Sequence, residues 1–357
     1  MRPFSLQTLF CLGTLVPTSV FAQTVTLEPQ SQNDLPGYNR SIKGDISPEF
    51  IKEQTLANVV PESLIQIGDG SGFFPKHAVI VDKSARSLGV WAHENGIWKR
   101  VIHFPADVGK QQGDKKNWGD FKTPEGIYFF TGKREGKDLD FGNYGSLAFT
   151  TNYPNLFDQR EGKTGSGIWL HAVPDSVPLT RGSRGCVVIR NDNIREIAKY
   201  IAINKTPIVI KDTEKYLTLD EWQTHRQELL QWLEGWKAAW ESRDLDKYMS
   251  FYAENDFRAM KMSWEKWRLF KSKIAGLAQF IEVKVVQPVI YSHKNDFIIK
   301  FVQNYKSGVL QDVGEKTLYL SRRSGQWKIV SEEWKPIPTG ELSASSQLVT
   351  TGAVDHN

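Results

Sequence analysis

Cys186 and His171 are the two side chains of this sequence whose types and spacing best suit covalent chemistry. Cys186 lies in the segment 183–190 (SRGCVVIR), and His171 precedes it by fifteen residues. A thiolate is the reactive form of cysteine, and a neighbouring imidazole, cation or set of backbone N–H groups favours it. We therefore predict acyl transfer, with Cys186 as nucleophile, His171 as base, and both Arg184 and His171 lowering the pKa of the thiol.

Cysteine usage also favours a reactive thiol. The chain has two cysteines, and Cys11 lies in an N-terminal stretch (residues 1–22) with a basic start, an apolar run and a small-residue exit at Ala22, which is typical of a secretory signal peptide. Cleavage there predicts a periplasmic protein in which Cys186 has no partner, although exported proteins normally pair their cysteines. The alternative is that Cys186 is a small buried hydrophobic residue.

Other chemistries have weaker signals. Gly165-Ser166-Gly167 lacks the full G-x-S-x-G pattern of a serine nucleophile. The seven histidines include no H-x-x-x-H pair, and there is no two-cysteine knuckle, so we predict no metal and no other cofactor. The net charge is +4 with both signs interspersed, and no apolar run after Ala22 approaches the ~20 residues of a membrane helix. We therefore predict a globular protein with no transmembrane segment and no nucleic-acid partner.

The segment 183–190 and the upstream histidine together resemble the YkuD-type L,D-transpeptidases of bacterial cell walls, whose signature is a histidine followed by Ser-x-Gly-Cys. Residues 120–128 are similar to the family's Thr-Pro-x-Gly turn. With Asn152–Asn155 and Thr164-Gly165, they extend the resemblance over about residues 76–212. These additional features are similar to the branch of YafK-like proteins and the cell-shape L,D-carboxypeptidases of helical bacteria.

Two positions depart from the pattern of many transpeptidases. Arg184 replaces a histidine between the serine and the glycine, and Val188 replaces an arginine, with Arg190 two places later. These departures leave the acyl acceptor open. Attack by an amine would make the protein an L,D-transpeptidase, and attack by water would make it an L,D-carboxypeptidase that trims tetrapeptides to tripeptides.

The resemblance implies a role for each candidate residue. Cys186 would attack the peptide carbonyl, His171 would take and return the proton, and the carbonyl of Ala172 would orient the imidazole. The amides of Gly185 and Cys186 would form the oxyanion hole. Guanidinium groups suit the carboxylates of a peptidoglycan stem peptide. The candidate substrate-binding residues are accordingly Ser183, Arg184 and Arg190.

Length and patterning predict two domains with an α+β fold. We predict a linker and helical segment at residues 23–75, a β-rich YkuD-type domain with short helices at 76–213, a second domain at 219–336 and a disordered tail at 339–357. The second domain has helical patterns followed by four strand-like runs. It resembles the SnoaL-like group of the nuclear transport factor 2 superfamily, a cone with a curved antiparallel sheet.

An aromatic stripe on the first helical pattern of the second domain predicts a packed core, with a carbohydrate or peptide groove as the alternative. The stripe consists of Trp232, Trp236, Trp240, Tyr248 and Tyr252.

His293 falls in a predicted turn and is expected to be exposed to solvent.

Two functions remain open from the sequence. The first is a cysteine acyltransferase acting on peptidoglycan stem peptides, in which the second domain positions substrate or joins two copies of the chain into a homodimer. The second is a wall-binding or scaffolding protein without turnover. The intact pair of Cys186 and His171 favours the enzyme.

Overall fold

The computed structural model describes residues 54–55, 59–323 and 325–338, and the predicted signal peptide and tail lie outside these ranges. Eighteen strands and six α-helices are assigned within them. The first twelve strands are β1 (Gln54–Thr55), β2 (Val59–Pro61), β3 (Leu64–Gln66), β4 (His77–Asp82), β5 (Ser87–Glu94), β6 (Ile97–Pro105), β7 (Gly126–Glu135), β8 (Leu147–Thr151), β9 (Trp169–Val173), β10 (Val187–Arg190), β11 (Pro207–Lys211) and β12 (Tyr216–Thr218).

The remaining elements include the longest helix and the longest strands. The later strands are β13 (Arg258–Ala259), β14 (Met262–Ser263), β15 (Ile281–His293), β16 (Asp296–Ser307), β17 (Gln311–Arg323) and β18 (Gln326–Pro336). The α-helices are α1 (Phe141–Tyr144), α2 (Leu156–Arg160), α3 (Asn191–Ile197), α4 (Leu219–Glu241), α5 (Leu245–Met249) and α6 (Trp264–Leu277), and short 3-10 helices cover Gly136–Asp138 and Ala198–Tyr200.

Nine strands form a mixed sheet in the order β1-β6-β5-β4-β11-β7-β8-β9-β10. The inner strand β4 is buried on both faces, since Val79 and Val81 contribute to one apolar cluster while Ala78 and Ile80 contribute to another. A strand whose consecutive residues are all apolar is expected to have both faces covered. The predicted β-rich domain with short helices is confirmed.

The five-stranded antiparallel sheet has the order β18-β17-β16-β15-β3, and α4 and α6 pack against it. Helix α4 begins with a capping box in which Thr218 and Glu221 exchange side-chain to backbone hydrogen bonds. The four predicted strand runs all appear, in a meander of hairpins from β15 to β18. The predicted α+β fold with a curved antiparallel sheet is therefore confirmed.

The helical segment that we predicted within residues 23–75 is wrong for the described residues there, because their regular elements are strands. β2 pairs with β12, and β3 pairs with β15 at the edge of the five-stranded sheet. Both strands have three residues, and partners distant in sequence satisfy their backbone groups, which local periodicity does not reveal. A strand that lies between β1 and β4 of the nine-stranded sheet in the chain thus completes the five-stranded sheet.

The buried aromatic residues of the second half form one apolar cluster. Trp236, Trp240, Tyr248 and Tyr252 are all less than 5% exposed, and Trp232 packs against them. The stripe is therefore core, as predicted. Among the described residues, no helix is long and apolar enough to cross a membrane.

Candidate active site

Two parallel strands at the edge of the nine-stranded sheet bring the candidate nucleophile and base together. His171 lies in the middle of β9 and is paired with Val188 of β10, and Cys186 immediately precedes β10. Leu170 and Ala172 point into the apolar core. Because side chains alternate along a strand, His171 projects from the opposite face.

The turn before β10 is closed by hydrogen bonds from Ser183. Its hydroxyl donates to the carbonyl of Cys186 (2.7 Å) and accepts from the Gly185 N–H (3.1 Å). Ser183 therefore fixes the conformation of the loop that carries the thiol. The Gly185 N–H could donate to an oxyanion only if it gave up its hydrogen bond to this hydroxyl.

Gly185 is required in this turn for two reasons. Its φ is +128°, a region that L side chains rarely adopt, and an added Cβ would lie 2.7 Å from the carbonyl oxygen of Lys122. The strand-like segment around Asp107 supports the same loop, since Asp107 exchanges backbone hydrogen bonds with Val188 and its carboxylate accepts from the Gly182 N–H at 2.7 Å. Sequence reasoning missed Asp107 because its partners are distant in the chain.

The imidazole of His171 is held in a defined orientation. Its Nδ1 lies 2.6 Å from the carbonyl oxygen of Ala172, the contact that the resemblance implies. An Nδ1–H donated to this carbonyl leaves Nε2 as the acceptor nitrogen. Burial lowers the pKa of His171 below its ordinary 6.5, although the contact to Ala172 opposes this shift. The side chain is thus a neutral base at neutral pH.

We expected the pKa of the Cys186 thiol to be lowered, and this expectation is wrong. Burial raises its pKa to about 11, while the backbone N–H of Trp169 and the charge of Lys115 act in the opposite direction. The cation that acts on the thiol is therefore Lys115 and not Arg184. The sulfur lies 3.5 Å from the carbonyl oxygen of Gly167, which a protonated thiol can approach as a donor. The resting pair is neutral thiol and neutral imidazole.

The two candidate arginines occupy different environments. Arg184 is exposed beside the nucleophile, where it can reach a ligand. Arg190 is only 6% exposed, and its Nη1 donates to the carbonyl of Val177 at 2.5 Å. This geometry suits a structural role in holding the loop after β9, so the substrate-binding role of Arg190 receives no support from its position.

Asn191, a residue type that often caps helices, is instead the first residue of helix α3 after the nucleophile. Arg190 is the N-cap of α3, and no side chain caps it. The side chain of Asn191 instead accepts from the Ser146 N–H and donates to the carbonyl of Val173. It thereby connects the β9, β10 and β8 regions around the site.

A second candidate site lies in the five-stranded half of the molecule, between α4, α6 and the concave face of the sheet. It is a cavity of about 290 Å³ lined largely by aromatic and aliphatic side chains. Lys271 is buried there, with its Nζ 4.6 Å from the ring centre of Trp240 and 4.8 Å from that of Trp267. Burial lowers the pKa of Lys271 to about 8, and Glu332 opposes the shift.

Polar groups at the base of this cavity form a connected network. Glu332 accepts from Lys316 (2.6 Å) and from the Tyr252 hydroxyl (2.6 Å). Among the described residues, Asp312 Oδ1 and Trp267 Nε1 are buried without a hydrogen-bond partner. Buried polar atoms without partners are uncommon and are expected to bind water or a ligand. The cavity therefore combines apolar walls with free polar groups, as ligand sites do.

His293 was expected to be exposed, and this is wrong. It ends β15 and is 8% exposed, beside a small cavity of about 100 Å³ that Glu125 and Lys294 also line. The turn residue after it, Lys294, forms an ion pair with Glu125 across the junction of the two sheets. Sequence reasoning located the turn correctly but could not show that the other sheet covers it.

Within the part of the chain that the structure describes, no group of three or more His, Cys, Asp or Glu side chains could hold a metal ion. The candidate sites are thus the Cys186–His171 pair and the Lys271 cavity.

Two family descriptions match the chain. Residues 76–210 match the YkuD L,D-transpeptidase catalytic domain, and residues 228–333 match the Cds6 C-terminal NTF2-like domain. Bd1075 of Bdellovibrio bacteriovorus is 43% identical, with 79% of this chain and 99% of that chain covered and a TM-score of 0.72. The chain belongs to the YkuD L,D-transpeptidase family, with a C-terminal NTF2-like domain.

A second solved relative has the same two-domain arrangement. Pgp2 of Campylobacter jejuni, described as a helical cell shape determining protein, is 32% identical, with 76% of this chain and 96% of that chain covered and a TM-score of 0.60. A comparison with curated protein sequences gives no match. The family assignment makes the nine-stranded sheet the YkuD domain and the five-stranded sheet the NTF2-like domain.

Proposed function

We propose that the protein is an exported cysteine acyltransferase that acts on peptidoglycan tetrapeptide stems and releases the terminal D-alanine. The observation that carries the proposal is the placement of Cys186 beside β9, with His171 oriented by the carbonyl of Ala172 at 2.6 Å. The match to the YkuD catalytic domain supports the substrate class. The cell-shape description of Pgp2 supports a role in wall remodelling that affects cell shape.

In the first half of the reaction, Cys186 Sγ attacks the carbonyl carbon of the bond between the diamino acid and D-alanine. Because the thiol has a pKa of about 11, its proton passes to His171 Nε2 as the S–C bond forms. His171 then gives the proton to the departing amine of D-alanine, and a thioester to Cys186 remains. The N–H of Cys186, with that of Gly185, is the proposed donor set for the tetrahedral oxyanion.

In the second half, a nucleophile attacks the thioester, His171 accepts its proton, and this proton passes to the departing sulfur of Cys186, which restores the neutral thiol and imidazole. Water gives a tripeptide and an amine gives a cross-link, an exchanged D-amino acid or a tethered protein. We favour water, because the sequence resembles the branch of cell-shape L,D-carboxypeptidases, and Pgp2, described as a helical cell shape determining protein, is similar over 96% of its chain. Arg184, which is exposed beside the nucleophile, is the proposed contact for a substrate carboxylate, and Ser183 holds the loop.

We also propose that the Lys271 cavity of the NTF2-like domain binds part of the wall substrate. Its apolar walls and the partnerless Asp312 Oδ1 and Trp267 Nε1 support a ligand with both apolar and hydrogen-bonding groups. Sugar rings and peptide stems both have this character. The domain would then position substrate for the YkuD domain.

Product analysis tests the reaction. The mature protein is incubated with disaccharide-tetrapeptide, with and without a D-amino acid or a second stem as acceptor, beside a Cys186→Ala control. Mass spectrometry is expected to show tripeptide alone for a carboxypeptidase and acceptor-dependent exchange or dimers for a transpeptidase. No product that depends on Cys186 would favour the wall-binding scaffold and contradict the proposal.

A further inference from the structure

A strip of side chains in ring contact leads from the candidate base to an exposed arginine. The Tyr144 ring centre lies 5.1 Å from that of His171 and 5.0 Å from that of Trp169. The guanidinium carbon of Arg134 in turn lies 5.3 Å from the ring centre of Trp169. We call these four residues the aromatic strip.

The strip occupies one face of the sheet. Trp169 and His171 are two residues apart in β9, so they project from the same face, opposite to the core residues Leu170 and Ala172. Tyr144, the last residue of α1, lies on this face, since its ring contacts both Trp169 and His171.

Trp169 connects the strip to the nucleophile. Its backbone N–H acts to lower the pKa of the Cys186 thiol, against the larger effect of burial. Its indole ring centre lies 5.3 Å from the guanidinium carbon of Arg134. A ligand that binds the arginine is therefore held relative to a residue that influences the reacting thiol.

Arg134 is available to a ligand. It is exposed, and none of the carboxylates that the structure describes forms an ion pair with it; its neighbour Glu135 pairs with Lys133 at 2.8 Å. A guanidinium in cation–π contact with an indole keeps N–H groups available, and these match a carboxylate in bidentate geometry.

The spacing suits a short peptide. Arg134 is paired with Ala148, and Ala148 is paired with His171, so the arginine and the histidine are separated by two strand spacings. Neighbouring strands are about 4.8 Å apart, which gives about 10 Å between the two backbones. An extended peptide covers about 3.5 Å per residue, so about three residues span this distance.

We propose that Arg134, in cation–π contact with Trp169, binds a carboxylate of the peptide stem and so positions the scissile carbonyl at Cys186. This inference rests on the proposed function, because it takes the peptidoglycan stem as the ligand. The stem offers carboxylates at its second residue, on the diamino acid and at the terminal D-alanine. Arg134 is thus a specificity-determining residue, and Tyr144 is a positioning residue for the imidazole.

The test measures binding without turnover, so that it is independent of the reaction. In the Cys186→Ala background, calorimetry with disaccharide-tetrapeptide is expected to give at least a tenfold higher Kd for Arg134→Ala. Arg134→Lys should recover only part of the lost affinity, since lysine keeps the charge but has no planar guanidinium. Lys133→Ala removes the same charge from the neighbouring residue on the other face and should leave the Kd unchanged. An equal Kd for Arg134→Ala and its parent would overturn the inference.

Amidated peptides identify the carboxylate. Three tetrapeptides, each amidated at one of the three carboxyl groups, are titrated into the parent and into the Arg134→Ala variant. The penalty of Arg134→Ala should disappear for one peptide and persist for the other two. Persistence with all three would overturn carboxylate recognition. Turnover by the protein with Cys186 intact separately tests the proposed function, so the two failures are distinguishable.

Discussion

The two candidate sites bury ionisable groups with opposite consequences. In the YkuD domain, burial raises the pKa of Cys186 and lowers that of His171, so both groups are neutral. In the NTF2-like domain, Glu332 is also buried, yet the charges of Lys316 and Lys271 keep its pKa low despite the burial. The difference is the presence of an opposite charge within hydrogen-bond distance.

This comparison separates a site that creates charge during the reaction from a site that holds charge permanently. A neutral thiol–imidazole pair becomes charged only as the substrate is attacked, when the oxyanion is formed beside backbone N–H donors. The paired charges of the cavity are ready to orient a polar ligand without any proton movement. The first arrangement suits catalysis and the second suits binding.

The largest effect is expected from the loop that carries the nucleophile. Gly185→Ala should lower kcat/KM at least a hundredfold, because the added methyl group meets the Lys122 carbonyl at 2.7 Å and shifts the thiol and its amide. Gly182→Ala is the matched control in the same loop, since a Cβ there meets nothing within 4 Å. Near-normal activity in Gly185→Ala would contradict the assigned loop geometry.

The pH dependence of kcat/KM should reflect the neutral pair. Activity needs unprotonated His171, whose pKa is lowered, so the acid limb should have its midpoint below the ordinary value of 6.5. Below that midpoint, activity should fall about tenfold per pH unit as the imidazole becomes protonated. The rate should then stay level through neutral pH, because the thiol pKa is about 11. A rise in rate that follows a thiol titrating near neutrality would show a preformed thiolate instead.

A smaller effect is expected from removing the buried charge of the second site. In the Cys186→Ala background, Lys271→Met should weaken co-sedimentation with isolated peptidoglycan about tenfold, since a charge-assisted hydrogen bond contributes about 1.5–3 kcal/mol. Thermal stability should be preserved, because Met keeps the apolar stem and removes a desolvated charge. Lys273→Met, on the exposed side of α6, is the control. Unchanged co-sedimentation for Lys271→Met would assign the cavity no role in wall binding.

The last expected effect is on stability and arises at the junction between the domains. Glu214 accepts hydrogen bonds from Ser63, and burial raises its pKa to about 7. Because the folded pKa exceeds the unfolded value of 4.5, its contribution is complete below pH 4.5 and is lost as the pH rises through about 7, with up to about 3 kcal/mol at stake. Urea unfolding of Glu214→Gln should show a flatter pH dependence over this window, whereas the exposed control Glu228→Gln should not.

Much of this architecture could be predicted because local signals agreed with the fold. The apolar run of β4 and the helical spacing of α6 both correspond to observed elements. The signature residues His171 and Cys186 could also be found, because the resemblance rests on a short segment. Gly185 could be read as a turn residue from its type alone.

The rest depended on contacts between segments distant in the chain. β3 joins the five-stranded sheet although it precedes the YkuD domain, and no local pattern encodes that partner. The direction of the Cys186 pKa shift was missed because burial outweighs the cation, and burial depends on the whole fold. For Trp169, the only sequence signal was its position two residues before His171, which places both on one face of a strand.

The most direct test of the central claim is intact-protein mass spectrometry of a quenched reaction with disaccharide-tetrapeptide. We expect a transient adduct on Cys186 with the mass of the disaccharide-tripeptide acyl group, and no adduct on Cys186→Ala. Release of D-alanine without any adduct on the wild-type protein, or at equal rates from both proteins, would contradict a cysteine thioester mechanism.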